Sequence, residues 1–280
     1  MESLLTQYHQ DGFIHFKGFF NPEDVEQVRQ EAKQVFINQM NYQGILQGET
    51  PDEKQFDAAM TKFFQTDLTG FVNCGKTCQH LINLHRLSLI EKLVRQLNEL
   101  GVQTPVICTR PVIYFNSRHL AQAEVYYRTP PHQDWRSMQG SLNAMVVWMP
   151  LVDVNEALGA LEIVPGSHLW GLLPSEPDEW YRKVAEAERF TYQSVEVAAG
   201  DALFFSAFLL HRSGNNVTDA IRWSCHFRYN DLSEATFIAR HYPHPYLYKA
   251  QQELITDNFP APEQLQTVFS EAAKTHATAT

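Results

Sequence analysis

The chain has 280 residues, 44% of them apolar, and a formal net charge of −10 at pH 7. That length and apolar content allow a substantial core, and the acidic balance argues against a general nucleic-acid-binding surface. No apolar run approaches the roughly 18 residues of a membrane-spanning helix, and the N-terminus lacks the layout of a signal peptide. Four cysteines are too few for a disulfide framework. We therefore expect a soluble, cytoplasmic protein with reduced thiols that binds neither nucleic acid nor membrane.

The N-terminal third carries mainly helical signals. A short helix is predicted over residues 2–10. Asn21 followed by Pro22 is a favourable helix start, and apolar residues at helical spacing extend that helix to about residue 39. A further helix is predicted over residues 88–100.

From residue 106 onward, short runs rich in β-branched and aromatic residues alternate with turn signals. The predicted strands cover residues 106–115, 124–127, 142–150, 160–164, 193–197, 202–210 and 220–229. Many short strands at close spacing favour a sandwich or barrel over a parallel sheet. We predict a mainly β fold with flanking helices, in the form of a double-sheet jelly roll. Residues 171–187 interrupt the strands and are acidic, which indicates a surface insertion or a lid.

The chain shows no internal division. No linker rich in proline, glycine or serine separates two halves, and no repeat is visible. We therefore expect one domain over residues 1–280. Within it, residues 1–105 would be mostly helical, residues 106–232 would form the jelly-roll core, and residues 233–280 would be a C-terminal extension.

A His-x-Asp triplet stands within the strand-rich region. In extended backbone, residues two apart face the same side, so His132 and Asp134 could converge on one metal ion. His211, which follows an apolar run, is the best third ligand. Two histidines and one carboxylate, with other positions open, suit iron(II) oxygen chemistry. Residues 9–11 carry the same letters by chance, because they lie at a predicted helix end with no partner.

A second set of polar residues follows on a predicted strand. Arg222, Ser224, His226 and Arg228 share one face of it. A solvated face is the simpler interpretation, but the interior of a jelly roll can be a ligand cavity. An arginine there can hold a carboxylate through two parallel hydrogen bonds, and Ser213 could add a hydroxyl group.

Several short motifs occur in a specific order along most of the chain. They are Asp11-Gly12-Phe13, Phe19-Phe20-Asn21-Pro22, His132-Gln133-Asp134, Trp148 with Pro150-Leu151-Val152-Asp153, Gly159 to His168, Gly200-Asp201, His211 to Asn216, and Arg222. In this order and spacing they resemble the phytanoyl-CoA dioxygenase family of iron(II)- and 2-oxoglutarate-dependent oxygenases. The resemblance implies a double-stranded β-helix, the cupin-like form of the jelly roll.

The resemblance also implies roles for individual residues. His132, Asp134 and His211 would bind iron(II). Arg222 would hold the distal carboxylate of 2-oxoglutarate, with Ser213 assisting. Two further candidates for contact with this cosubstrate are Trp148 and Asn116.

Residues around the His-x-Asp triplet are candidates for contact with the substrate. Arg110, Arg118, Arg128 and Arg136 cluster there in an otherwise acidic chain, which hints at an anionic substrate, although surface charge is the more frequent explanation. Neighbouring aromatic residues could line a pocket or simply pack in the core. The candidates for substrate contact are Tyr127, Arg128, Trp135 and His226.

The resemblance implies hydroxylation of an unactivated C–H bond in a small metabolite, and the arginines around the triplet hint that this metabolite is anionic. Dioxygen and 2-oxoglutarate would be consumed, and succinate and CO2 released. Asp134 favours hydroxylation over halogenation, because halogenating relatives lack this carboxylate. Two alternatives stay open: a jelly-roll metal enzyme that needs no 2-oxoglutarate, against which Arg222 argues, and a non-catalytic binding protein that retains the fold.

Overall fold

The structure is a computed structural model that describes residues 4–48, 51–120, 128–178 and 181–243. Its N-terminal part combines one short strand with several helices. These elements are α1 (Leu4–Asp11), β1 (Phe13–Phe16), α2 (Pro22–Tyr42), α3 (Glu53–Thr66), α4 (Leu68–Cys78), α5 (Ile82–Leu87) and α6 (Glu91–Glu99). The predicted helices at 2–10, 22–39 and 88–100 are confirmed by α1, α2 and α6. Helices α3, α4 and α5 were not predicted.

Side-chain caps explain where three of these helices begin. The Asn21 side chain accepts a hydrogen bond from the backbone N–H of Glu23 at 3.1 Å. Asp52 and Gln55 form a reciprocal capping box at the start of α3. Asp67 accepts from the first turn of α4. The cap of α3 was therefore present in the sequence as an Asp-x-x-Gln signal that the hydrophobic pattern alone did not reveal.

The remainder of the described chain is mainly β. Its elements are β2 (Pro105–Asn116), α7 (Trp135–Met138), β3 (Met145–Pro150), β4 (Leu161–Ile163), β5 (Ser175–Asp178), β6 (Tyr181–Val184), β7 (Gln193–Val195), β8 (Ala202–Ser206), β9 (His211–Ser213), β10 (Arg222–Asp231) and α8 (Ala235–Ala239). The predicted strand over 202–210 is too long, because the chain turns after Ser206 before β9 begins. The predicted strand over 124–127 lies outside the described residues.

Two antiparallel sheets form the jelly roll. The larger sheet has the order β1-β8-β3-β10-β2, and the smaller has the order β7-β4-β9. Apolar side chains from both sheets, such as Val146 and Phe205 from one and Leu161 and Ile163 from the other, share one buried cluster. The sheets therefore pack face to face, and the mainly β prediction is confirmed.

The helices cover the other face of the larger sheet. Trp223 on β10 lies 4.6 Å from Phe115 on β2 between ring centroids, and Phe115 lies 5.3 Å from Phe36 on α2. Cys225 and Phe227 join the same buried cluster. Because side chains alternate along a strand, this packing turns the even-numbered residues of β10 into the space between the sheets.

Two general expectations can be compared with the structure. The four cysteines are free thiols with buried side chains, and burial raises the pKa of each of them. Among the helices that the structure describes, none has the length and apolar character required to cross a bilayer.

Candidate metal centre

The three predicted ligands lie together between the sheets. One potential ligand atom from each of His132, Asp134 and His211 lies within 4.8 Å of the others, and all three residues are buried. The backbones of His132 and His211 pair directly, with N–H to carbonyl distances of 2.9 and 3.1 Å. The prediction that His132 and Asp134 converge because they lie two apart on an extended strand was wrong in its backbone conformation, since the triplet is not one extended strand. Asp134 has helical backbone angles and begins α7.

Hydrogen bonds fix the orientation of both imidazole rings. Nδ1 of His132 donates to the carbonyl oxygen of Pro130 at 2.8 Å, and Nδ1 of His211 donates to that of Leu209 at 3.0 Å. A carbonyl can only accept, so in both rings the proton is on Nδ1. The Nε2 atoms therefore keep their lone pairs and face Asp134, at 4.0 Å for His132 and 3.6 Å for His211.

The electrostatic environment favours the protonation states that bind metals. Burial, with His211 nearby, lowers the pKa of His132 to about 3, and burial also lowers the pKa of His211. Burial alone would raise the pKa of Asp134, but Arg228 and the two imidazoles outweigh it and hold that pKa well below its usual range. At neutral pH the site thus offers two neutral imidazoles and a carboxylate.

Arg228 is a residue of this site for which no role was predicted. Its Nη2 and Nε atoms lie 2.9 and 3.2 Å from Oδ1 of Asp134. The signal in the sequence was its shared face with Arg222 on the same strand. The contact itself joins residues that are 94 positions apart, so no local pattern could reveal it.

A cavity of about 140 Å³ opens beside the three ligands. Four of the predicted contact residues, Arg222, Ser213, Trp148 and His226, belong to its wall. The predicted interior face of β10 is therefore confirmed. The complete lining is Val112, Tyr114, Thr129, His132, Trp148, Leu161, His211, Ser213, Arg222, His226 and Arg228.

Arg222 is a buried cation at one side of this cavity. Its side chain is 1% exposed, and its guanidinium donates to the carbonyl of Gly159 and, at 3.1 Å, to the hydroxyl of Ser213. Burial lowers its pKa to about 10, so it stays charged at pH 7. Within the described part of the chain no carboxylate pairs with it, and its Nε has no hydrogen-bond partner. A buried charge of this kind favours an anionic ligand.

Other polar atoms of the cavity also lack partners among the residues that the structure describes. They include Nε1 of Trp148 and both ring nitrogens of His226. Burial and the charge of Arg228 lower the pKa of His226 well below its usual value, so this ring is neutral. An unsatisfied buried polar group costs about 1–3 kcal/mol. These polar atoms therefore face a cavity in which a polar ligand would satisfy them.

The other predicted contact residues are arranged differently. Asn116 is buried and pairs with Arg222 across the sheet, but it is not part of the cavity wall. Trp135 stacks on Phe208 and donates from Nε1 to the carbonyl of Ser141, so it too lies outside the wall. Arg128 donates from Nε to the carbonyl of Ser213 at 2.9 Å. Tyr127 is outside the described residues.

A larger cavity of about 500 Å³ lies next to the first. Thr129 borders both cavities. The predicted insertion, residues 171–187, contributes to this outer wall through hairpin β5–β6. The complete lining is Arg128, Thr129, Pro130, Pro131, Glu176, Pro177, Lys183, Glu188 and Arg212.

The insertion is tied to the loop that carries the metal ligands. The side chain of Gln133 donates to the carbonyl of Gly171 and accepts from the N–H of Leu173, both at 2.8 Å. The N–H of Val184 donates to the carbonyl of Pro131, also at 2.8 Å. A role for this insertion as a lid stays a prediction.

Comparison with known proteins identifies the family. The phytanoyl-CoA dioxygenase family model matches residues 8–224. The chain belongs to the phytanoyl-CoA dioxygenase family. Its members are the non-haem iron, 2-oxoglutarate-dependent oxygenases that the motif order indicated.

Individual relatives of this family are distant. A probable phytanoyl-CoA dioxygenase of Caenorhabditis elegans is 32% identical over 117 residues, which cover 38% of this chain and 38% of that protein. The peroxisomal phytanoyl-CoA dioxygenase of Mus musculus is 22% identical, with 80% and 67% covered. The 2-aminoethylphosphonate dioxygenase of uncultured bacterium HF130_AEPn_1 is 22% identical, with 82% and 81% covered. The aligned part thus spans well under half of the worm relative.

Solved structures confirm the double-stranded β-helix. The epimerase SnoN, in complex with Fe3+, alpha ketoglutarate and nogalamycin RO, has a TM-score of 0.55 and 19% identity, covering 88% of this chain and 91% of that one. EctD from S. alaskensis, with 2-oxoglutarate and 5-hydroxyectoine, has a TM-score of 0.53 and 16% identity, covering 83% and 77%. At these identities the likeness concerns the fold.

The donor set itself fits a non-haem iron ion. Two imidazole nitrogens and one carboxylate converge, and Oδ2 of Asp134 is buried without a hydrogen-bond partner in the described chain. This unsatisfied oxygen lies 3.6 Å from Nε2 of His211, and the other oxygen lies 4.0 Å from Nε2 of His132, so a carboxylate and two imidazole nitrogens are close enough to share one cation. Two histidines with one carboxylate match the donor preference of iron(II) in oxygenases.

Proposed function

We propose that the protein is an iron(II)- and 2-oxoglutarate-dependent dioxygenase that hydroxylates a C–H bond of a small, anionic metabolite. The products would be the hydroxylated metabolite, succinate and CO2. One observation carries the proposal: the buried, charged Arg222 faces the same cavity as the converging His132, Asp134 and His211. A metal site alone would not require that cation.

Each ligand of the metal has a role that its surroundings support. His132 and His211 would bind iron(II) through Nε2, because their Nδ1 atoms already donate to carbonyl groups. Asp134 would bind through Oδ2. When bound, the iron supplies the oxidation of the C–H bond with dioxygen, while the protein binds, orients and excludes water.

The inner cavity would hold the cosubstrate. 2-Oxoglutarate is a diacid, and Arg222 with Ser213 would bind the carboxylate that lies away from the metal. Trp148 and His226 would donate to oxygen atoms along the molecule, since their ring N–H groups are buried and unsatisfied among the described residues. Arg222 supplies the charge that compensates the distal carboxylate in this buried place.

The outer cavity would hold the substrate. Arg212 is already paired with Glu162 at 2.5 Å and with Glu188 at 3.3 Å. Arg128 and Lys183 have no carboxylate partner among the described residues, although both line this space. Two cations without an ion pair in the described part of the chain support an anionic group on the substrate, although Glu176 lies opposite Lys183 on the hairpin. The name of the 2-aminoethylphosphonate dioxygenase also points to a small, charged molecule for that relative.

Release of succinate tests the proposal. The iron-loaded protein is incubated with 2-oxoglutarate and with panels of small carboxylates, phosphates and phosphonates, and the succinate formed is measured. Neutral compounds of similar size serve as the control panel. We expect one anionic class to stimulate release. Turnover of a substrate without succinate would favour a metal enzyme that needs no 2-oxoglutarate. No iron(II)-dependent binding of 2-oxoglutarate in calorimetry would favour a non-catalytic protein.

A substitution at Arg222 tests the cosubstrate site directly. In Arg222→Ala, affinity for 2-oxoglutarate should fall by about 100-fold, since losing one partner of a buried charged pair costs roughly 2–5 kcal/mol. Binding of the metal should stay unchanged, because Arg222 touches none of the ligands in the described contacts. Arg110→Ala, at an exposed arginine on the neighbouring strand β2, is the control. Equal affinity in the two variants would contradict the assignment.

A further inference from the structure

We propose that Arg228 is a positioning residue. It holds one carboxylate oxygen of Asp134 by hydrogen bonds, so that only the other oxygen can bind the metal. The inference rests on the proposed function, since it concerns the same iron site. Its consequence is that Asp134 acts as a one-oxygen ligand. Coordination positions on the metal would then stay available to 2-oxoglutarate instead of being filled by a second oxygen of Asp134.

The two oxygens of Asp134 have different surroundings. Oδ1 receives two hydrogen bonds from Arg228, at 2.9 Å from Nη2 and 3.2 Å from Nε. Oδ2 has no hydrogen-bond partner in the described part of the chain and lies 3.6 Å from Nε2 of His211. The two oxygens are therefore already distinct: Oδ1 accepts from Arg228 and lies 4.0 Å from Nε2 of His132, whereas Oδ2 is free of hydrogen bonds within the described residues and lies closer to a histidine, 3.6 Å from Nε2 of His211.

The strand that carries Arg228 favours a fixed guanidinium. β10 lies inside the larger sheet, between β2 and β3, so its backbone is held on both sides. The register with β2 shifts on both sides of Arg228, and such irregularities redirect a side chain. The arginine side chain is 15% exposed and that of Asp134 is 2% exposed, which reduces the screening of the pair by solvent.

An arginine is suited to this task for a chemical reason. Its planar guanidinium presents two N–H groups in a fixed geometry, whereas the ammonium of lysine acts as a compact point charge. Both N–H groups are directed at the same oxygen, so rotating the carboxylate to offer Oδ1 to a metal would break both hydrogen bonds. A carboxylate without this constraint can bind a metal through both oxygens.

The number of protein donors determines what else the metal can bind. With one oxygen from Asp134, the protein supplies three donor atoms and leaves positions for a chelating cosubstrate. With both oxygens, one of those positions is taken by the protein. Arg228 would therefore support 2-oxoglutarate binding through its effect on Asp134, and its loss should affect 2-oxoglutarate more than the metal.

The test compares Arg228→Met and Arg228→Lys with Arg110→Met, an exposed arginine on β2. Manganese(II) is the metal probe, because water-proton relaxation reports how many water molecules it carries in each variant. Calorimetry gives the affinities for manganese(II) and, in its presence, for 2-oxoglutarate. Thermal unfolding of each variant measures whether the fold is intact.

We expect Arg228→Met to bind manganese(II) within about threefold of the parent but with fewer bound waters. Its affinity for 2-oxoglutarate should fall by about tenfold, the lower end of effects seen for residues behind metal ligands. Arg228→Lys should lie between the parent and Arg228→Met, and Arg110→Met should match the parent. If Arg228→Met is too unstable to measure, the lysine variant alone must show the intermediate loss.

Two results would overturn the inference. Unchanged water content and unchanged 2-oxoglutarate affinity would mean that Arg228 does not limit Asp134 to one oxygen. Loss of manganese(II) and 2-oxoglutarate in equal proportion would mean that Arg228 only supports the shape of the site. Failure of the proposed function looks different, since the unmodified protein itself would then bind no 2-oxoglutarate in the presence of the metal.

Discussion

On the face of β10 that meets the helices, Trp223, Cys225 and Phe227 are at most 3% exposed and pack in a continuous apolar cluster. On the opposite face, Arg222 and His226 border a cavity with polar atoms that no described residue satisfies. One strand thus carries two kinds of residue at alternate positions. The first face is packed by the fold itself, whereas the second presents buried polar atoms toward a cavity.

Removing a metal ligand should have the largest effect on the cavity face. In His132→Ala we expect loss of iron retention and of 2-oxoglutarate turnover, because the site would retain only two donors. Metal analysis after gel filtration and a succinate assay measure both. His9→Ala, in the other His-x-Asp triplet at the end of α1, is the matched control. Full metal content in His132→Ala would show that the cavity is not the iron site.

The helix-covered face should respond in stability instead. Trp223→Ala removes a 3%-exposed ring that contacts Phe36, Phe56 and Phe115. Truncation of a buried aromatic residue costs about 3–5 kcal/mol of unfolding free energy, which urea unfolding measures. The folded fraction should bind 2-oxoglutarate as the parent does. A loss of affinity comparable to that of Arg222→Ala would mean that the two faces are not separable.

The smallest effect is a change in the pH dependence of stability. Burial lowers the pKa of His226, as it does for His132 and His211. An unfolded histidine has a pKa near 6.5, so below about pH 6.5 the unfolded chain binds more protons than the folded one. The free energy of unfolding of the metal-free protein should therefore fall as pH drops below about 6.5.

His226→Gln isolates one part of this slope. It should reduce the loss of unfolding free energy by up to about 1.4 kcal/mol per pH unit, measured by urea unfolding between pH 7 and pH 5. His80→Gln, at an exposed histidine, is the matched control. If both variants behave alike, His226 gains contact with water in the folded state.

The sequence predicted the part of the site that depends on motif order and strand alternation. His132, Asp134 and His211 were predicted to converge, which they do, and the alternation along β10 placed Arg222 and His226 on the interior face. Trp135 was expected near the substrate, but the chain enters α7 at Asp134, which turns the ring toward Phe208. Its direction depends on tertiary packing, which no local pattern contains.

The helices also divide into those that a local sequence pattern predicted and those that it did not. Helix α2 has apolar residues at regular spacing and a clear start at Asn21, and it was predicted. Helix α3 begins at a capping box whose signal is two polar residues, Asp52 and Gln55, and it was missed. The contact of Arg228 with Asp134 could not be predicted either, because the two residues meet only after the sheets have packed.

Gln133 stands between two metal ligands, and its amide is fully engaged by the carbonyls of Gly171 and Phe208 and the N–H of Leu173. The base of the insertion is thereby anchored beside the iron site. Farther along, Glu176 and Lys183 face each other across β5 and β6 at the outer cavity. Exchanges at that pair would change the charge of the outer cavity without breaking the hydrogen bonds of Gln133. The fold thus separates the wall of the outer cavity from the anchored loop that carries His132 and Asp134.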